Sequence, residues 1–108
     1  MKHKLKRLIW TIEDHIKDSG YDLKNAKREK EEQDTDMENF YIQSAKQRLD
    51  WANKGLDRYS NIIRDYEARE RQNGHDRDVI EEKAMAWRCV YEILEERVKH
   101  LTKEISEM

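Results

Sequence analysis

The stretch IEEKAMAWRCVYEILEERVKHLTKEISEM, from Ile80 to Met108, decides the fold. Its residues Ile80, Ala84, Trp87, Tyr91, Leu94, Val98, Leu101, Ile105 and Met108 follow one another at alternating spacings of four and three. An α-helix turns about 100° per residue, so this spacing returns an apolar group to one face at every turn. Neither glycine nor proline interrupts the run. Upstream, the same spacing recurs at Ile42, Ala45, Leu49, Ala52, Leu56, Tyr59, Ile63 and Tyr66. A weaker ladder runs through Leu5, Ile9, Ile12, Ile16, Ser19, Leu23, Ala26 and Lys30. Three stripes of this period predict an all-α fold, an antiparallel three-helix bundle of coiled-coil type, with helices over about 3–33, 36–73 and 77–107 in a single domain 1–108.

Capping chemistry marks the expected boundaries. Thr35 followed by Glu38 has the pattern of a capping box, which starts helix two at about residue 36. Asn73-Gly74 ends it, because glycine takes the left-handed conformation that closes a helix. Asp76, or Asp78 with Glu81 three residues on, starts helix three. Gly20 either ends a first helix or bends a continuous one. Leu23 and Ala26 stay in phase with Leu5 to Ile16 across it, which favours one helix bent at Gly20. Pairing outward from the two turns then gathers the large apolar residues at the end near the second turn, which is expected to be the stiffer end.

The 108 residues include 22 Lys plus Arg and 24 Asp plus Glu, for a net charge of -2. A near-neutral chain creates no overall field toward nucleic acid or an anionic membrane. The charged fraction of 43% suits helices that each bury one stripe and solvate the rest. The single cysteine, Cys89, leaves nothing to pair with in an intrachain disulfide and fits a reducing, cytoplasmic compartment. Glu13 and Asp14 cut the apolar run Leu8 to Ile12 below the about 7–15 residues of a secretory signal, and no stretch is long enough to span a membrane.

The residues offer little chemistry. A di-iron bundle needs Glu-x-x-His on inward faces, and His15, His75 and His100 have Ile12, Gln72 and Arg97 three residues before them. Glu96 and His100 read as a surface pair one turn apart. The glycines stand alone at 20, 55 and 74, so no phosphate-cradling loop forms. Leu5-Lys6-Arg7-Leu8 with Ile12-Glu13-Asp14 resembles the first helix of short all-helical chorismate mutases. The likeness stops there, because helix two is unbroken where theirs is short, and no catalytic residue carries over. The expectation is a protein that is not an enzyme and needs no cofactor or metal.

Residues off the ladders point to binding. In a heptad frame, Trp51, Gly55 and Ile62 on helix two, and Val79, Ala86, Val90 and Ile93 on helix three, define an apolar groove between these helices. Trp51, Val79, Ala86 and Ile93 are its rim, and Gly55, Ile62 and Val90 its floor. The competing expectation is that helix one tilts across this groove and fills it. Trp10 and Phe40 are subsidiary candidates. The function expected is a small protein-binding module, an adaptor, inhibitor or assembly factor, whose partner is another protein or a second copy of the chain. Size alone adds that such chains are common among phage and mobile-element products. The alternative is a nucleic-acid-associated protein that uses the basic cluster Lys2, Lys4, Lys6 and Arg7 with the cluster Lys24 to Lys30.

Overall fold

A computed structural model describes residues 2–108, the Lys2 side chain excepted, so that member of the basic cluster lies outside the described residues. The chain is an all-α three-helix bundle: α1 (Lys2–Glu31), α2 (Thr35–Gln72) and α3 (Arg77–Ser106). α1 passes through Gly20 as one helix. Its ladder supplies Leu5, Ile12, Ile16, Leu23 and Ala26 to the core, together with Ser19, whose buried hydroxyl donates to the Ala45 carbonyl at 2.9 Å. α2 adds Ala45, Leu49, Ala52, Leu56, Tyr59 and Ile63, and α3 adds Ile80, Ala84, Leu94, Val98 and Ile105. Residues climbing α1 meet residues descending α2: Ile12 lies at Gly55, His15 at Trp51, Asp18 at Arg48 and Asp22 at Ser44.

The two turns share one construction. Gln33 and Gly74 take left-handed conformations, with φ of 63° and 74°. In the first turn the Asp34 amide donates to the Glu29 carbonyl and the Gln33 amide to Lys30. In the second the His75 amide donates to Glu70 and the Gly74 amide to Arg71. These crossed bonds satisfy carbonyls that a helix end leaves without partners. An aspartate then caps the next helix. Asp34 accepts from the Met37 amide at 3.1 Å, and Asp76 from the Asp78 amide at 2.9 Å. Thr35 is therefore not the cap expected from the sequence. It is the first residue of α2, because the turn completed at Gln33 places Asp34 at the boundary.

Tyr59 is fully buried. Its hydroxyl donates to the Trp87 carbonyl at 2.6 Å and its ring stacks on Tyr91 at 5.9 Å. Burial pushes the Tyr59 phenol up to about 12.

The bundle is a rod of 62 × 18 × 15 Å, and α1 and α3 each pack mainly on α2. α1 has 30 residues against the 38 of α2, which leaves it roughly 12 Å short. Running back from the first turn, it ends where Lys4 and Arg7 lie beside Ile62 and Asp65. At the other end Lys27 pairs with Glu104 at 3.7 Å, so α3 covers α1 almost to its last turn. The end near the second turn is consequently two helices thick. Burial is not confined to the end expected to be stiffer: Leu23, toward the first turn, is buried like Leu94. At the two-helix end the mostly buried Glu67 carboxylate is held by Arg88 of α3 and by Arg71 one turn on.

Candidate interaction surface

The seven residues nominated from the sequence separate into two sets. The α2 members face α1. The Trp51 ring lies 5.4 Å from that of His15 and 5.8 Å from the Arg48 guanidinium, and it is 41% exposed. Gly55 is buried beneath Ile12 so closely that an added Cβ would stand 2.6 Å from Ile12 Cγ1. Ile62 lines a cleft with Leu8 and Thr11 of α1. Gly55 and Ile62 of the expected floor thus lie against α1, and these seven side chains do not line one groove between α2 and α3.

The α3 members form a surface of their own. Val90 is half-buried against the core, but Val79, Ala86 and Ile93 are exposed, Ile93 at 61%. Cys89 is exposed between them, and Met85 beside them is 64% exposed. Val79, Glu82, Ala86, Cys89 and Ile93 follow at spacings of three and four, a second ladder on the same helix. It lies one to two residues out of phase with the buried ladder, roughly 150° around the axis and so on nearly the opposite face. Met85 and Cys89 were not nominated from the sequence. For Cys89 the three-and-four spacing from Ala86 and Ile93 was the available signal.

A second feature is basic. His3, Lys4, Lys6 and Arg7 are exposed at the start of α1, and Trp10 stands among them at 75% exposure. Among the described residues, the cations that pair with carboxylates are Lys27, Arg28, Arg48, Lys54, Arg71, Arg77, Arg88 and Lys99, with His75 and His100. The N-terminal cluster is not among them. Phe40, exposed near the first turn, packs edge-on against Tyr41. His100 pairs with Glu104 at 2.7 Å, not with Glu96, because one turn toward the C-terminus places a carboxylate equally near.

Among the described residues, no group of three or more His, Cys, Asp or Glu side chains is placed to hold a metal ion. No described helix is long and apolar enough to cross a membrane. Compared with known proteins, the chain matches no family model, and no curated protein or solved structure matches it significantly.

Proposed function

We propose that this chain is a cytoplasmic, non-enzymatic protein-binding module, an adaptor, inhibitor or assembly factor built as an antiparallel coiled-coil bundle. The binding surface is the outer stripe of α3. One observation carries the reading: Val79, Ala86, Cys89 and Ile93 recur at helical spacing in solvent on a helix whose other face is already buried. A surface this charged gains nothing from an ordered apolar stripe unless a partner covers it. The helical spacing suits a partner helix laid along it.

Ile93→Arg tests the reading. The side chain stands in water, so the far-UV circular dichroism and melting temperature should stay near wild type while association of the purified protein, with itself or with a binding partner, is lost. Association that survives the substitution removes the stripe from consideration.

A second reading rests on Trp10. A flat ring exposed among cations that lack carboxylate partners is the arrangement that stacks a base and contacts its phosphates. Binding of a single-stranded oligonucleotide should then weaken steeply with salt and fall in Trp10→Ala. Binding to the α3 stripe should be nearly indifferent to salt.

A further inference from the structure

We infer that a single strand of nucleic acid crosses α1 near its start, from Trp10 over Arg7 into the cleft between α1 and α2, where Arg58 takes up its backbone. The inference rests on the nucleic-acid reading of Trp10 and gives that strand a path and a direction.

Two helices build the path. Around α1 the exposed side chains of Lys6, His3, Arg7 and Lys4 follow in that angular order, from the outer face to the flank that meets α2. Trp10 stands one turn on, between Lys6 and Arg7. Lys4 and Arg7 also line a cleft with Leu8 and Ile62, whose remaining wall is Arg58 and Asn61 of α2. Among the described residues, none of Lys4, Lys6, Arg7 and Arg58 pairs with a carboxylate. Asp65 is the carboxylate of the cleft. The register that sets Ile12 at Gly55 and Asp18 at Arg48 puts Arg58 level with Leu8 and Asp65 level with the first residues of α1. Asp65 therefore marks the far end of the cleft and Arg58 its middle. Asp57, next to Arg58 in sequence, lies on the other flank of α2, toward Tyr91 of α3.

Charge sets the direction. Along α1 beyond Trp10 come Glu13 and Asp14, both exposed, before the next cation, Lys17. A strand laid lengthwise meets those carboxylates. Laid across, it stays among cations, with Asp65 at its margin. The cluster Lys24 to Lys30 begins roughly 30 Å along the helix from Lys4. Within it Lys27 is already paired with Glu104 and Arg28 with Glu29.

The occupant follows from the side chains. An exposed indole stacks any base on its face, and guanidinium and ammonium groups one turn away take the phosphates. A flat bilayer would meet the outer face of α1 but not Arg58, which is set back between two helices. The path is one helix wide plus one interhelical step, roughly 20 Å, which suits a strand of a few nucleotides.

Fluorescence anisotropy of a labelled oligothymidylate of about eight nucleotides, titrated with the full chain at several salt concentrations, tests the path. Trp10→Ala should weaken binding about fivefold or more and leave the salt slope unchanged, because stacking releases no counterion. Arg58→Ala should weaken it about fivefold at about 50 mM salt and lower the slope by about 0.7, the loss of one phosphate contact. Asp65→Asn should tighten binding, and Lys17→Ala should leave it unchanged. All four side chains are exposed, so the circular dichroism of each variant should match the wild type.

Lost affinity in Lys17→Ala with none lost in Arg58→Ala means a strand laid along α1. That result overturns the path and leaves the nucleic-acid reading of Trp10 standing. No binding at low salt overturns both. So does displacement of the labelled strand by polyglutamate or anionic vesicles as readily as by unlabelled oligonucleotide.

Discussion

Gln33 holds a left-handed conformation that glycine adopts without strain and an ordinary side chain does not. Gln33→Gly is therefore expected to raise stability by about 1 kcal/mol in urea unfolding, since the turn no longer forces a Cβ toward the following carbonyl. The adjacent cap gives a sharper contrast. Asp34→Ala should cost about 0.5–2 kcal/mol, because the Met37 amide loses its acceptor, while Thr35→Ala should be close to neutral. Both residues are good caps by type, so sequence alone ranked them by the Glu38 that completes a capping box. The choice was made by where the preceding turn closed. Tyr59 sets a pH dependence. Its phenol titrates near 10 in the unfolded chain and at about 12 in the fold, so below pH 10 both states stay protonated and the contribution is complete. As pH rises from about 10 to 12 the unfolded state alone loses the proton, and stability falls. Tyr59→Phe should flatten that decline in melts recorded over this range.

At the scale of the element, two helical glycines behave oppositely. A Cβ at Gly20 would meet nothing closer than Leu101 Cδ2 at 4.0 Å, so Gly20→Ala should stabilise by about 1 kcal/mol through helix propensity. At Gly55 the Cβ would strike Ile12, itself fully buried and unable to swing away, and Gly55→Ala should cost about 1–3 kcal/mol despite the same propensity gain. Thermal melts of the two variants should shift in opposite directions. The helices themselves were legible because each buries one stripe, and a stripe with a period near 3.6 can be read without knowing its neighbour. Which neighbour covers each flank was not legible. Three helices can wind to the left or to the right, and the heptad pattern is compatible with either hand. Assigning Gly55 and Ile62 to the α2–α3 side amounted to choosing a hand. The structure has the other, with Ile12 over Gly55 and Leu8 beside Ile62.

Across the whole molecule, the rod has a Cα radius of gyration of 17.7 Å, against about 13 Å for a compact domain of this length. The unequal helix lengths leave Tyr66 to Ala86 with no α1 beside them, and hydrogen exchange should show it. Amides of the last turns of α2 and the first turns of α3 are expected to exchange faster than those around Leu49 and Leu94. Equal protection along both helices would show that Glu67, Arg88 and Ile80 hold two helices as firmly as three. The lengths needed to see this were present in the sequence. The expected bounds, about 3–33 against 36–73, already made helix one the shorter, but the large side chains gathered near the second turn were read as stiffness without asking what the missing turns of helix one leave uncovered.

Because α1 and α3 each lie mainly on α2 and touch one another least, the middle helix is the template for two nearly separate hairpins. Each hairpin closes a short loop, so neither waits for distant parts of the chain to meet, and rapid refolding follows. α1 shares more contact with α2 than α3 does, which favours the first hairpin as the nucleus and α3 as the late arrival. In stopped-flow experiments Ile16→Val, between the early partners, should mainly slow refolding, whereas Val98→Ala, on the late helix, should leave refolding almost unchanged and speed the unfolding limb.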